Sequence, residues 1–218
     1  LCDNPGEGGT TPSLGMIDVV RQQVSMDVYA MIRPRGGDFL YSGYEFEAMK
    51  RDLVQCRKAG IQGVVFGVLQ ADGTLDKKRC KELIDLARPL NVTCHRAFDM
   101  TRDPFEALEH CIDAGFDRIL TSGQQAHAIT GAPLIAELVK RAHGRIAIMA
   151  GSGINPENVS ALVKQTNVNE IHFSATAFSD SEMRYRNPQV AGMGSAGGSE
   201  YKLRTVDPEV IRKIRRRV

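Results

Sequence analysis

The chain has 218 residues, 42% of them hydrophobic and 25% charged, with a formal net charge of only +2. That composition suits one large globular domain with a sizeable core. It lacks the basic excess that nucleic acid or an acidic membrane demands, and no apolar run is long enough to cross a bilayer, so neither is an expected partner.

In chain order, Leu1-Cys2 reads as the end of a strand, because it runs straight into the glycine-rich stretch EGGTTPS (7–13). The opening residues show neither the charged nor the apolar part of a signal peptide. A helix follows with Leu14, Ile17, Val20 and Val24 on one side. Strands are predicted at 28–33, 64–69, 92–96, 118–121, 146–150 and 170–174, each a short run nearly continuous in apolar residues, as strands covered on both faces must be. Between them lie helix signals. Ser42-Gly43-Tyr44-Glu45 is a capping-box pattern, followed by Phe46, Met49, Leu53 and Cys56 on one face and Gly60 as a stop. Asp103-Pro104, Asn155-Pro156 and Asp207-Pro208 open further helices with proline at the first helical position. The segment 177–200 is rich in Ser, Gly and Asn and is predicted to be a long loop leaving the last strand, folding partly over the site and carrying Arg184 or Arg186 toward it. The basic residues within 212–217 close a helix, where cations complement the helix dipole and stay solvated.

One strand–helix unit recurs roughly every 24–36 residues, the period of a βα array. There is no GxGxxG after a first strand, which argues against a dinucleotide-binding open sheet. With a strand end at Leu1-Cys2, restoring one strand–helix unit brings the total near the ~250 residues of an eight-stranded barrel. The expectation is therefore a single α/β domain over residues 1–218: a TIM-like (β/α)₈ barrel lacking its first strand–helix unit in this chain. Sites in such barrels gather where the strands end and the βα loops begin.

Unusual polar residues recur at that place. Arg33, Arg35 and Arg96 offer forked donors for a carboxylate or phosphate, and Glu7 stands on the first loop. Gly151, Ser152 and Gly153, placed before the Asn155-Pro156 helix start, are predicted to expose backbone N–H groups that bind sulfate or phosphate. His95, Asp99 and His172 are candidate proton-handling residues. His110, His127 and His143 read as surface residues. HExxH, GxSxG and P-loop motifs are absent, so whether the chain is an enzyme stays open. The five cysteines, Cys2, Cys56, Cys80, Cys94 and Cys111, show no CxxC spacing, which fits a reducing compartment better than a disulfide framework. Cys56, Cys80 and Cys111 read as buried hydrophobes of helix faces.

These loops carry a family resemblance. EGGTTPS (7–13), MIRPRGGDF (31–39), HRAFD (95–99), LTSG (120–123), HFSA (172–175) and the segment Met183-Arg184-Tyr185-Arg186-Asn187 resemble the CutC copper-homeostasis proteins, in order and at matching spacing. The resemblance implies a cytoplasmic barrel, a homo-oligomer and a Cu(I) binder. It makes Cys2 the one metal-ligand candidate, matching the cysteine that ends the family's second strand; the family's usual partner, a first-strand cysteine, has no counterpart here. Successive strand residues point to opposite faces, so if His95 faces the barrel, Cys94 faces the helices and cannot help Cys2. Two functions are thus carried forward: Cu(I) binding in copper homeostasis, and an enzyme or binder for a small phosphate- or carboxylate-bearing metabolite.

Overall fold

The structure, a computed structural model, describes residues 1–190 and 199–218. Six parallel strands form its centre: β1 (Tyr29–Met31), β2 (Gly63–Phe66), β3 (Asn91–Cys94), β4 (Arg118–Thr121), β5 (Ala147–Gly151) and β6 (Glu170–His172). They pair in chain order, β1 through β6, as a six-strand parallel half-barrel. Leu1 runs beside β1: its α-ammonium donates to the Tyr29 carbonyl and its carbonyl accepts from Met31 N at 2.9 Å. That alternating reach to residues on either side of Ala30 is the bonding of a parallel neighbour.

Both faces of the inner strands are covered. Val64, Phe66, Val92, Cys94 and Ile119 are fully buried on one face, and Thr93 and Leu120 are buried on the other, which explains the unbroken apolar runs. The observed strands stop short of several predicted ends, because residues such as Val68 and His95 leave the ladder to build loops.

The covering helices are α1 (Leu14–Gln23), α2 (Gly43–Lys58), α3 (Lys77–Ala87), α4 (Pro104–Ala114), α5 (Ala132–Ala142), α6 (Val159–Thr166) and α7 (Pro208–Arg215). Their starts follow local chemistry. Ser42 and Glu45 complete the reciprocal capping box of α2, and Asp103 accepts from Phe105 N and Glu106 N at the head of α4. Gly115, at φ 95°, closes α4. Ile214 inserts α7 into the core, and Ser160 Oγ donates to the Arg217 carbonyl at 2.8 Å, tying the chain end to α6. Among the described residues no helix is long and apolar enough to cross a membrane.

Two local expectations need correction. α6 begins at Val159, not at Pro156, because Asn155 Oδ1 accepts from Glu157 N and Asn158 N and so caps a separate turn. The predicted 177–200 loop is partly strand: β7 (Thr176–Asp180) pairs antiparallel with β8 (Lys202–Val206), with Phe178 opposite Arg204. The β-branched and apolar residues of β8 supply a partner that the polar run after 177 conceals. The glycines at 192, 194, 197 and 198 lie outside the described residues. In this hairpin Arg186 stacks on the Tyr201 ring, 4.8 Å from its centroid, and Lys202 pairs with Asp180 at 2.8 Å, so these two side chains are engaged within the hairpin itself.

Candidate functional site

The carboxyl ends of β1 to β6 bring the expected polar residues to one face, but most are already bonded to one another. Arg33, at the end of β1, is buried. Its guanidinium donates to the carbonyls of Glu7, Gly9 and Gly37 at 2.7–3.0 Å. Thr11 returns the bonding, donating its N–H to the Arg33 carbonyl and accepting Arg33 N at its hydroxyl, both at 2.9 Å. Arg33 therefore ties the glycine-rich loop to the β1 end. Gly8 is required there: a Cβ on it would lie 3.1 Å from an Arg33 nitrogen. Glu7 is exposed and lies over Gly36, its carboxylate 2.7 Å from where a Gly36 Cβ would stand.

Arg35 is likewise engaged. Nε donates to Glu45 at 2.6 Å, and the terminal nitrogens reach Asp38 and the carbonyls of Gly36 and Leu40. The Ser42 N–H and then Arg35 hold the Glu45 carboxyl below its ordinary range. Arg96, after β3, donates to Asp99 and to Ser122 Oγ, each at 2.8 Å. None of the three arginines is a free fork awaiting an anion.

Asp99 is a hub. Its carboxylate accepts from the Thr121 hydroxyl, Ser122 N, Ser122 Oγ, Gln124 N and Arg96 Nε, locking the loop after β4 to the short 3-10 turn Arg96–Met100 after β3. Asp99 thus positions two loops.

His95 is buried, 3% exposed. Its Nδ1 accepts from Ala97 N at 3.2 Å and its Nε2 has no partner. Burial, reinforced by the Arg33 charge, pushes its pKa down to about 3. Gly67 makes room for the ring, since a Cβ there would sit 3.0 Å from Nδ1. No hydrogen bond joins the candidates His95, Asp99 and His172, and His172 lies exposed on β6 at the sheet edge. There the surrounding protein, and then the Leu1 α-ammonium, depress its pKa.

His95 carries a pH signature. Above about pH 6.5 the imidazole is neutral folded and unfolded, and no penalty exists. As pH falls from 6.5 toward 3 the unfolded chain binds a proton that the fold refuses, so stability declines by up to ~1.4 kcal/mol per pH unit. His172 adds a slope of the same sign. Denaturant unfolding of the parent and of His95→Gln from pH 7 to 5 isolates the His95 share, and the variant is expected to show the shallower slope. Equal slopes would mean that the folded ring accepts a proton.

At the end of β5, Ser152 adopts φ 87°, rare outside glycine, and its Oγ donates to the Ala126 carbonyl at 2.7 Å. Ala128 N donates to the Ser152 carbonyl at 3.0 Å, so the β4 and β5 loops are joined. The separate turn at Asn155 removes these amides from the α6 terminus, correcting the predicted helix-end geometry. His127 was missed as a member of this group. Its Nδ1 lies 2.5 Å from where a Gly153 Cβ would stand, and its place in the loop after β4 was the available signal.

Four cysteines are buried, and Cys2 is exposed. Cys94 faces the helices, close enough to Cys111 and Cys80 to perturb both, and burial raises the Cys80 and Cys111 thiols well above their ordinary value. Cys2 sits at the rim: its Sγ and the Met31 methyl both lie 3.3 Å from the place a Gly9 Cβ would take. Cys2 therefore supplies one accessible soft ligand with a thioether side chain beside it. Among the described residues no group of three or more His, Cys, Asp or Glu side chains is arranged to hold a metal ion.

Comparison with known proteins sharpens this picture. Residues 1–177 match the CutC family. The chain is 47% identical over 214 residues to mouse and human proteins each named copper homeostasis protein cutC homolog, covering 98% of this chain and 79% and 78% of theirs. A CutC family protein of Parabacteroides distasonis is 48% identical over 213 residues, 97% of this chain and 88% of its own. Among solved structures, one named for CutC of Streptococcus agalactiae superposes with a TM-score of 0.76 at 33% identity, over 79% of this chain and 85% of that one. A structure named QR15, an aldolase, shares the fold alone, with a TM-score of 0.55 at 18% identity.

Proposed function

Because the chain belongs to the CutC family, we propose that it serves copper homeostasis by holding Cu(I), its cargo, at the Cys2 thiolate, with the Met31 thioether as the adjacent soft donor. The carrying observation is that Cys2 is the one exposed cysteine and shares its place beside Gly9 with Met31. Thiolates and thioethers are the protein donors that select Cu(I). The buried Cys56, Cys80 and Cys111 cannot substitute, since burial raises their thiol pKa values and leaves little thiolate to bind metal. A cytoplasmic location, a homo-oligomer and closure of the half-barrel into an eightfold ring complete the proposal.

The test is an anaerobic competition between the protein and a Cu(I) chelator. Cys2→Ser is expected to weaken binding by about a hundredfold, roughly 2.7 kcal/mol, and Met31→Leu by a smaller factor. Equal affinity in the parent and Cys2→Ser would remove Cys2 from the site.

A further inference from the structure

Three buried side chains near the β1 and β3 ends each keep one polar atom without a partner: Arg33 Nε, the Tyr41 hydroxyl and His95 Nε2. Their residues are 4%, 3% and 3% exposed. Bonding assigns the hydrogens. A guanidinium Nε always carries one. Burial pushes the Tyr41 phenol up to about 12, so its proton stays on. His95 Nδ1 accepts from Ala97 N and so carries no proton, which places the proton of the neutral ring on Nε2. All three orphan atoms are donors.

Phe39 lies against two of these donor groups. Its ring centroid is 4.8 Å from that of His95 and 4.9 Å from Arg33 Cζ. The Arg33 guanidinium lies close enough to both the Tyr41 hydroxyl and the His95 ring to act on each. Buried donors without acceptors are rare in folded proteins, because each forfeits its hydration and gains nothing in return. An acceptor arriving from solvent resolves this. Three donors, one on a permanent cation, match a carboxylate, whose two oxygens offer about four lone-pair directions. A cationic ligand would meet the repulsion of the Arg33 charge. Phe39 is half-buried. Leu69 N holds its carbonyl at 2.9 Å, the side chain packs on the edge of the core without being sealed in it, and Gly37, at φ 81°, stands two residues earlier.

We propose that Arg33, Tyr41 and His95 form a binding site for the carboxylate of a small organic acid, with the Phe39 ring as a cover that swings aside to admit it. This site is distinct from the copper reading and does not rest on it.

The experiment follows the His95 Nε2–H resonance of copper-free ¹⁵N-histidine-labelled protein during titration with sodium acetate at constant ionic strength. A saturable shift is expected at millimolar acetate, about fivefold weaker in Tyr41→Phe, which loses one donor and little volume. Phe39→Leu, which shrinks the cover while keeping an apolar side chain, is expected to bind acetate more tightly than the parent. Absence of a saturable shift up to about 100 mM acetate in both the parent and Phe39→Leu overturns the proposal. So does an equal response in the parent and Tyr41→Phe, or a matching response to methylammonium.

Discussion

Asp99→Ala is expected to cost about 3–5 kcal/mol of folding stability, because it removes the acceptor of several buried donors at once. The Asp99 side chain is 5% exposed and accepts five donors. Thr121 and Ser122, which supply three of them, are fully buried. With the carboxylate gone, the Thr121 hydroxyl and the Ser122 N–H lose an acceptor where water cannot replace it, each at about 1–3 kcal/mol before relaxation, whereas the Ser122 hydroxyl keeps the Gln125 carbonyl. Arg96, half-exposed, recovers its loss in solvent. In a chain of this size the sum corresponds to a midpoint lowered by roughly 10 °C. Asp99→Asn keeps one acceptor oxygen and is expected to fall between. Thermal unfolding of the three proteins checks the order; an Asp99→Ala midpoint within about 2 °C of the parent would show that the network carries little stability.

Gly131→Ala is expected to be at least as damaging, through sterics alone. A Cβ on Gly131 would lie 1.9 Å from the Ser122 carbonyl oxygen and 2.9 Å from Gly123 Cα. Gly123, at φ 68°, presses back: its own Cβ would stand 2.3 Å from the Gly131 carbonyl oxygen. Both obstacles are backbone, so no rotamer relieves them. Ordinary overpacking costs about 1–3 kcal/mol, and a backbone collision lies beyond it, at ~4 kcal/mol or more. Relief requires moving Ser122, which would also undo part of the Asp99 network. Gly15, inside α1 with nothing within 4 Å of its would-be Cβ, is the internal control. Gly15→Ala is expected to gain ~0.5–1 kcal/mol through helix propensity. Chemical denaturation of both variants separates the cases; similar midpoints would refute the close packing of Gly123 on Gly131.

The two substitutions act on one object, the loop between β4 and α5. Asp99 holds it from the β3 side, the Gly123–Gly131 contact closes it on itself, and Ser152 ties it to the β5 side. Arg96, Ser122, Ser152 and His127 take their places from this loop, so hydrogen bonds join the three loops after β3, β4 and β5 to one another.

Local chemistry explains what was legible in the sequence alone. The alternation of apolar runs with capped amphipathic stretches located all six sheet strands, and the capping box at Ser42 and the Asp103-Pro104 start were read correctly, because periodicity and caps depend on neighbours within one turn. The motifs of the strand-end loops were sufficient to place the chain in its family. The opposite facing of Cys94 and His95 also followed from the twofold period of a strand. Tertiary structure decided whether each polar group was free. Arg33 spends its donors on carbonyls at 7 and 9, Arg35 on Glu45, and Arg96 on Ser122, contacts made by loops that meet across the sheet and leave no trace in local composition. The same distance hid the β7–β8 pairing, whose two strands are separated by a polar segment, and the approach of His127 to Gly153. A side chain's type fixes how many hydrogen bonds it can make. Only the folded chain, by bringing distant carbonyls and carboxylates within 3 Å, determines which are already made, and which donors at Arg33, Tyr41 and His95 are left over.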